Sequence, residues 1–145
     1  MGNNKEKSED MQVIKYVFQP HGDERGQLVA LEENRDIPFN IKRIYYMYDT
    51  VEGVVRGCHA HKSLEQILIC IHGKCKIKLD NGREQKIVLL EKPYEGLYVG
   101  KNMWREMYDF SKDAVLMVLA SELYDESDYI RNYEEFLAIV CGNGR

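Results

Sequence analysis

Residues 53–73 read GVVRGCHAHKSLEQILICIHG. Side chains two apart on an extended strand project from the same face, so His59 and His61 point together while Cys58, Ala60 and Lys62 point the other way. Beyond them, 65–72 is rich in isoleucine and ends at the turn residue Gly73, which predicts a second strand. A same-face pair of imidazoles therefore sits within a run of short strands.

Working outward, KCKIKLDNGREQKIVLL (74–90) alternates Cys75, Ile77 and Leu79 with Lys74, Lys76 and Lys78. Asn81-Gly82 then supplies the positive φ angles of a two-residue turn, so this is a hairpin. Further strands are expected at 12–18, 27–32, 40–49, 95–99, 103–109 and 114–120, an antiparallel all-β sandwich or barrel. The period changes at the C-terminus, where Tyr129, Ile130, Tyr133, Phe136, Leu137 and Val140 fall on one face of a helix. Asp125 or Ser127 can cap that helix and Gly142 can end it; its apolar face is expected to pack outside the β core or on a partner subunit.

The chain has 145 residues, 44% hydrophobic and 30% charged, enough for one packed domain and too little for two. Residues 1–10, MGNNKEKSED, hold no apolar side chain after Met1 and read as a solvated tail, so the expected domain runs from 11 to 141. The 20 basic and 24 acidic side chains, net −4, are interspersed, which argues against a nucleic-acid footprint or a membrane-surface patch. An anionic ligand has to be met by a local cluster. No apolar run approaches the roughly 20 residues that span a bilayer, and the N-terminus lacks the apolar core of a secretion signal, so a cytoplasmic protein is expected. Cys58, Cys70, Cys75 and Cys141 show neither CxxC spacing nor the density of a disulfide framework.

As spacing, 53–73 is Gly, five residues, His-x-His, four residues, Gln, six residues, Gly. This resembles the first sequence motif of the cupin superfamily, with Gln66 where a glutamate usually stands. The resemblance implies an all-β jelly-roll barrel with its site inside, here followed by the C-terminal helix. Two imidazoles, a carboxylate and a third imidazole make a common transition-metal set, but the set is broken in this chain. Gln66 is a neutral amide, and VGKNMWREMYD (99–109), which matches the second motif, carries Trp104-Arg105, a permanent cation where the third imidazole would bind. A guanidinium repels a divalent ion across a few Å of low dielectric. Without a metal the same residues are acid/base equipment. An imidazole with an unperturbed pKa of about 6.5 can take a proton while a second relays one, and Arg56 and Arg105 favour the neutral form of both.

The strings RGCHAHKSLEQILIC (56–70), GLYVGKNMWREMYDF (96–110) and LMVLASELYDESDYIRNYEEF (116–136) are similar to the sugar 3,4-ketoisomerases, WxcM-like cupins that act on dTDP-4-keto-6-deoxy-D-glucose. The resemblance spans roughly 11–137. It implies a metal-independent isomerase without a cofactor, a homodimer that exchanges N-terminal strands, and a product that feeds a transaminase in amino-sugar and surface-polysaccharide biosynthesis. A fainter similarity reaches the dTDP-sugar 3,5-epimerases. Asp23-Glu24-Arg25-Gly26 resembles their DxRG turn and Val55-Arg56-Gly57-Cys58-His59 their RGxH strand. That similarity implies that Arg25 and Arg56 hold the nucleotide diphosphate and that a histidine is the base.

The residues support such chemistry. In a 4-keto sugar the carbonyl acidifies the C3 hydrogen, so a base can form an enediolate across C3 and C4; returning a proton to C4 while the C3 hydroxyl loses its own moves the carbonyl. His59 is the expected carbon base and His61 the relay or oxygen-side acid, an order that could be reversed. Arg105, Gln66 or a tyrosine hydroxyl would stabilise the enediolate charge. Arg25 and Arg56 suit a diphosphate through their forked donors. Arg43 and Tyr45 share a strand face as a lining pair, although a surface or interface ion pair accounts for Arg43 equally well. Trp104 and the ten tyrosines offer a wall for thymine. Several family members carry histidine where this chain has Arg105, which leaves the gluco or galacto configuration of the product open. Two other readings compete: a metal-binding cupin enzyme using His59 and His61, and a noncatalytic sugar-binding module.

Overall fold

The computed structural model describes residues 11–142; the tail expected at 1–10 lies outside them. The strands are β1 (Lys15–Val17), β2 (His21–Asp23), β3 (Gly26–Leu28), β4 (Arg43–Met47), β5 (Arg56–His61), β6 (Gln66–His72), β7 (Cys75–Asp80), β8 (Gln85–Leu90), β9 (Glu95–Val99), β10 (Trp104–Tyr108), β11 (Val115–Ala120) and β12 (Tyr129–Ile130), followed by helix α1 (Tyr133–Val140). They form two five-stranded antiparallel sheets, β1-β9-β6-β11-β4 and β12-β5-β10-β7-β8, with β2-β3 as a separate hairpin. The jelly-roll cupin architecture expected from the sequence is present. Its sheets stay separate in their hydrogen bonding rather than closing into a barrel.

Period-two patterning decides which side chains meet between the sheets. Leu68 and Cys70 of β6, Leu116 and Val118 of β11, and Leu97 and Val99 of β9 meet Cys75, Ile77 and Leu79 of β7, Val88 and Leu90 of β8, and Met107 of β10 in one buried cluster. Burial of this kind stabilises by roughly 25 cal/mol per Å² of apolar surface removed from water. The outer face of the first sheet is also covered: Ile67, Ile69 and Leu119 pack under Phe18, Ile37 and Phe39. β6 therefore reads as a continuous apolar run instead of an alternating one.

The outer face of the second sheet is covered by α1, where Ala60 and Trp104 pack against Ile130 and Phe136. Here the expectation needs correcting. Tyr129 and Ile130 are extended and pair with His61 and Ala60 of β5. The helix starts only at Tyr133, capped by Asn132, whose side chain accepts from the Glu135 N–H. Asp125 caps instead a short 3₁₀ turn, Glu126–Asp128. At the far end Cys141 is the C-cap. Among the described residues no helix is long and apolar enough to cross a membrane.

One irregularity positions the site. Arg105 lies opposite His59, but Glu106 lies opposite Gly57, so Cys58 is an extra residue in β5, a β-bulge. Gly57 and Cys58 have φ values of 86° and 51°. A Cβ at Gly57 would stand 3.1 Å from the Arg105 carbonyl oxygen. Residues three apart on a regular strand face opposite ways; the bulge lets Arg56 and His59 share the inward face.

Candidate active site

The inward row of the first sheet runs through Gln66, Ala120 and Arg43, and the next through Leu68, Val118 and Tyr45. Arg105 and His59 come from the facing sheet. Where these rows end, Arg43, Tyr45, Met47, Arg56, His59, Met107, Tyr124, Tyr129 and Arg131 line a cavity of about 390 Å³, large enough for part of a sugar nucleotide. Its lining holds three arginines and no carboxylate, in a chain of net charge −4. The local cationic cluster that an anionic ligand requires is therefore present. Among the described residues neither Arg43 nor Arg56 pairs with a carboxylate, and Arg43 Nε is buried without a partner. The Arg43 guanidinium lies 5.1 and 5.5 Å from the Tyr45 and Tyr124 ring centres. Arg131 stacks 4.2 Å from the Tyr129 ring and grips Glu126 through two hydrogen bonds.

His59 and His61 do share a face, with ring centres 4.8 Å apart and planes nearly perpendicular. His59 Nδ1 lies 2.9 Å from the Gly57 carbonyl oxygen, which can only accept. Nδ1 therefore carries the proton and Nε2 presents a lone pair, buried and without a partner. Burial, reinforced by the Arg105 charge, pushes the His59 pKa down to about 4. His61 is 1% exposed and stands behind His59, outside the cavity lining. Its Nδ1 faces the Asp128 carboxylate at 3.2 Å and its Nε2 is also unpartnered. Burial and then the Arg105 charge lower its pKa as well.

Arg105 is completely buried and, among the described residues, touches no carboxylate within salt-bridge range. Its Nε and Nη2 donate to the Met103 carbonyl at 3.2 and 2.8 Å, and Nη1 donates to Gln66 Oε1. Gln66 Nε2 in turn donates to the Tyr45 hydroxyl oxygen at 3.0 Å, which leaves the Tyr45 proton free to point elsewhere. Burial pulls the Arg105 pKa down to about 10, so it stays cationic at neutral pH. An unpaired buried cation costs several kcal/mol, and its position behind the cleft suits an anion that forms there.

The cavity thus gathers Arg43, Tyr45, Arg56 and His59 directly, with His61, Gln66 and Arg105 in a layer behind them. Two expectations are corrected. Trp104 neighbours Arg105 on β10 and so faces the opposite side; it is buried under α1, edge-on to Tyr133 and tilted against Phe136, with Nε1 donating to Glu106. It lines no part of the cleft. Arg25 is exposed in the β2-β3 hairpin and binds Asp23; this chain does not bring it to the cavity. Sequence reasoning does not single out Tyr124, Asp128, Tyr129 and Arg131: 125–127 reads as a helix cap and 129 onward as helix, and Tyr124 is one of ten tyrosines. The available signal was that Tyr129 and Arg131 are two apart, as strand neighbours on one face are.

A cupin fold raises the question of a metal. Among the described residues no group of three or more His, Cys, Asp or Glu side chains is placed to hold an ion. The position facing the two imidazoles holds the Arg105 guanidinium hydrogen-bonded to the Gln66 amide. This donor set does not fit a divalent cation.

Comparison with known proteins agrees with the geometry. The family model described as FdtA: WxcM-like, C-terminal matches residues 9–141. A TDP-4-oxo-6-deoxy-alpha-D-glucose-3,4-oxoisomerase from Aneurinibacillus thermoaerophilus is 56% identical over 119 residues, 82% of this chain and 86% of the relative. The crystal structure of a 3,4-ketoisomerase from Helicobacter canadensis is 53% identical with a TM-score of 0.87, covering 90% of this chain and 98% of that one. A histidine-to-asparagine variant of the 3,4-ketoisomerase QdtA from Thermoanaerobacterium thermosaccharolyticum, solved with TDP-4-keto-6-deoxyglucose, is 45% identical with a TM-score of 0.88 over 91% of this chain and 96% of that one. With two jelly-roll sheets, a same-face imidazole pair and an arginine-lined cleft between them, this chain belongs to the WxcM-like FdtA family, alongside the sugar 3,4-ketoisomerases.

Proposed function

We propose that this chain is a sugar-nucleotide 3,4-ketoisomerase that converts TDP-4-keto-6-deoxyglucose into its 3-keto isomer. The observation that carries the reading is the unpartnered Nε2 lone pair of a neutral His59 whose ring lines a cleft with three arginines. His59 takes the C3 proton; the C–H electrons form the C3–C4 double bond and the C4 oxygen becomes anionic. Arg105, through Gln66 and Tyr45, supports that charge. The C3 hydroxyl proton passes to the C4 oxygen with His61 as the relay, and His59 returns the proton it holds to C4 as the C3 oxygen becomes the carbonyl. Arg56 and Arg43 take the diphosphate, and the Tyr124 and Tyr129 rings form an aromatic wall for the base.

The test is incubation of chelator-treated protein with TDP-4-keto-6-deoxyglucose, followed by ¹³C NMR. The reading predicts a carbonyl moving from C4 to C3, and the C4 configuration is read from the same spectrum. Binding without turnover would contradict it and favour a sugar-binding module.

Two further outcomes follow from the site. Arg56→Ala should weaken TDP binding about tenfold to a hundredfold by calorimetry, with kcat at saturation changed little; unchanged affinity would refute the diphosphate assignment. The acid limb of kcat/KM reports the free base. Because His59 is protonated only below about 4, kcat/KM should stay level as pH falls through 6.5 and decline only near 4. A limb at the ordinary histidine pKa would contradict a buried, cation-flanked base.

We infer a cytoplasmic homodimer that exchanges N-terminal strands. The four cysteines carry no disulfide, which suits a reducing compartment. β4 is a sheet edge whose Ile44 and Tyr46, with Tyr48 beyond its end, are exposed, a surface that a second copy would cover. Within one chain β1 pairs with β9. Light scattering at twice the mass of the chain is expected; a monomer would contradict the inference.

A further inference from the structure

We infer that Asp128 is a positioning residue for proton transfer: its carboxylate locks His61 in the tautomer whose proton sits on Nδ1, so that Nε2 remains the proton-accepting atom. This rests on the ketoisomerase reading for its consequence, but the lock itself stands on geometry. Asp128 ends the 3₁₀ turn Glu126–Asp128, directly before β12. Tyr129 of β12 pairs with His61, and the Lys62 N–H donates to the Asp128 carbonyl at 3.0 Å. The turn is thereby fastened to the end of β5 at the level of the imidazole.

The carboxylate accepts on both oxygens. Oδ1 takes the Ser63 N–H at 2.8 Å; Oδ2 takes the Leu64 N–H at 3.2 Å and faces His61 Nδ1 at 3.2 Å. An ionised carboxylate has no donor. If the His61 proton moved to Nε2, the Nδ1 lone pair would confront a carboxylate oxygen inside the protein. His61 is 1% exposed, so bulk water does not set its tautomer. The charged and titratable groups around the ring are His59 on its own strand, Arg105 from β10, Arg43 from β4, and Asp128, Tyr129 and Arg131 from the segment around β12. Burial first, and then the three guanidiniums, keep the resting ring neutral. Asp128 is the negative group in contact with it, and it supports the imidazolium that forms when Nε2 takes a proton. Asp128 touches no reacting atom.

Asp128→Asn is the informative change. The Asn carbonyl can still accept from Ser63 N–H, while its amide N–H₂, giving up the Leu64 N–H bond, faces Nδ1 and reverses the tautomer. With ¹⁵N-histidine labelling, the wild-type His61 ring should show a protonated Nδ1 and a bare Nε2, and the variant the opposite. In the variant kcat should fall about 10- to 100-fold with KM for the sugar nucleotide little changed. In a His61→Gln background the same substitution should add less than about a twofold loss, because its effect passes through the ring. A wild-type His61 protonated on Nε2 would overturn the inference whether or not the protein turns over TDP-4-keto-6-deoxyglucose. So would an equal loss in both backgrounds, which marks a purely structural role. Absence of turnover by the wild type would overturn the functional reading while the ring spectrum still decides the tautomer lock.

Discussion

His59→Asn should reduce kcat by about 10³–10⁴-fold while TDP affinity stays within a factor of about two. Asparagine keeps a polar group of similar reach, so a donor to the Gly57 carbonyl is retained. It has no lone pair basic enough to remove a carbon-bound proton. The remaining activity would come from His61 and the cation behind the cleft, which still polarise the bound sugar. Calorimetry with TDP and single-turnover kinetics on the same preparation separate the two effects. Binding lost in proportion to turnover would mean that the imidazole is structural.

Arg105→Met should cost kcat about 10²–10³-fold, the scale expected for removing a preorganised charge from a developing anion. The fold, by contrast, should tolerate it. Methionine removes a cation buried without a carboxylate partner, a relief of several kcal/mol. It also leaves Gln66 Oε1 and the Met103 carbonyl without their donor, at about 1–3 kcal/mol each. These oppose each other, so a large loss of activity with a small change in melting temperature is the signature. Because Arg105 is the second cause, after burial, of the low His59 pKa, the acid limb of kcat/KM should also move up toward the ordinary histidine range. Arg105→Lys should not rescue, since one ammonium cannot reproduce the planar fork that spans Met103 and Gln66. A variant with wild-type kcat and an unmoved limb would remove Arg105 from the mechanism.

The fold and the site were legible in the sequence to different depths, for physical reasons. The 74–90 hairpin could be read because alternation and Asn81-Gly82 act locally and agree, and β7 and β8 pair there in register from Cys75–Leu90 to Asp80–Gln85. The His59 and His61 pair could be read from period two alone. Arg56 joined them only through the bulge at Cys58, whose signal is the opposing register of β10 and so lies outside the local string. Trp104 was misplaced although the same period-two rule was available, since a strand cannot turn both Trp104 and Arg105 inward. At the C-terminus Ile130, Phe136 and Val140 all reach the face that covers Trp104. That shared burial produced a helical pattern running back through residues that are in fact a strand, and it hid Asp128, Tyr129 and Arg131 from view. The poor fit of the donor set to a divalent ion could be read early, because the guanidinium and the amide are visible in the string and meet in space.

If the Nε2 of His59 lifts the hydrogen from C3, a label at that carbon reports it. TDP-4-keto-6-deoxyglucose carrying deuterium at C3 is incubated in ordinary water with chelator-treated wild type, His59→Asn and Arg56→Ala, and the label at C3 is followed by NMR. The prediction is prompt loss from C3 with the wild type, the same loss with Arg56→Ala once substrate is saturating, and retention with His59→Asn. Release of the deuterium by His59→Asn at the wild-type rate would contradict it.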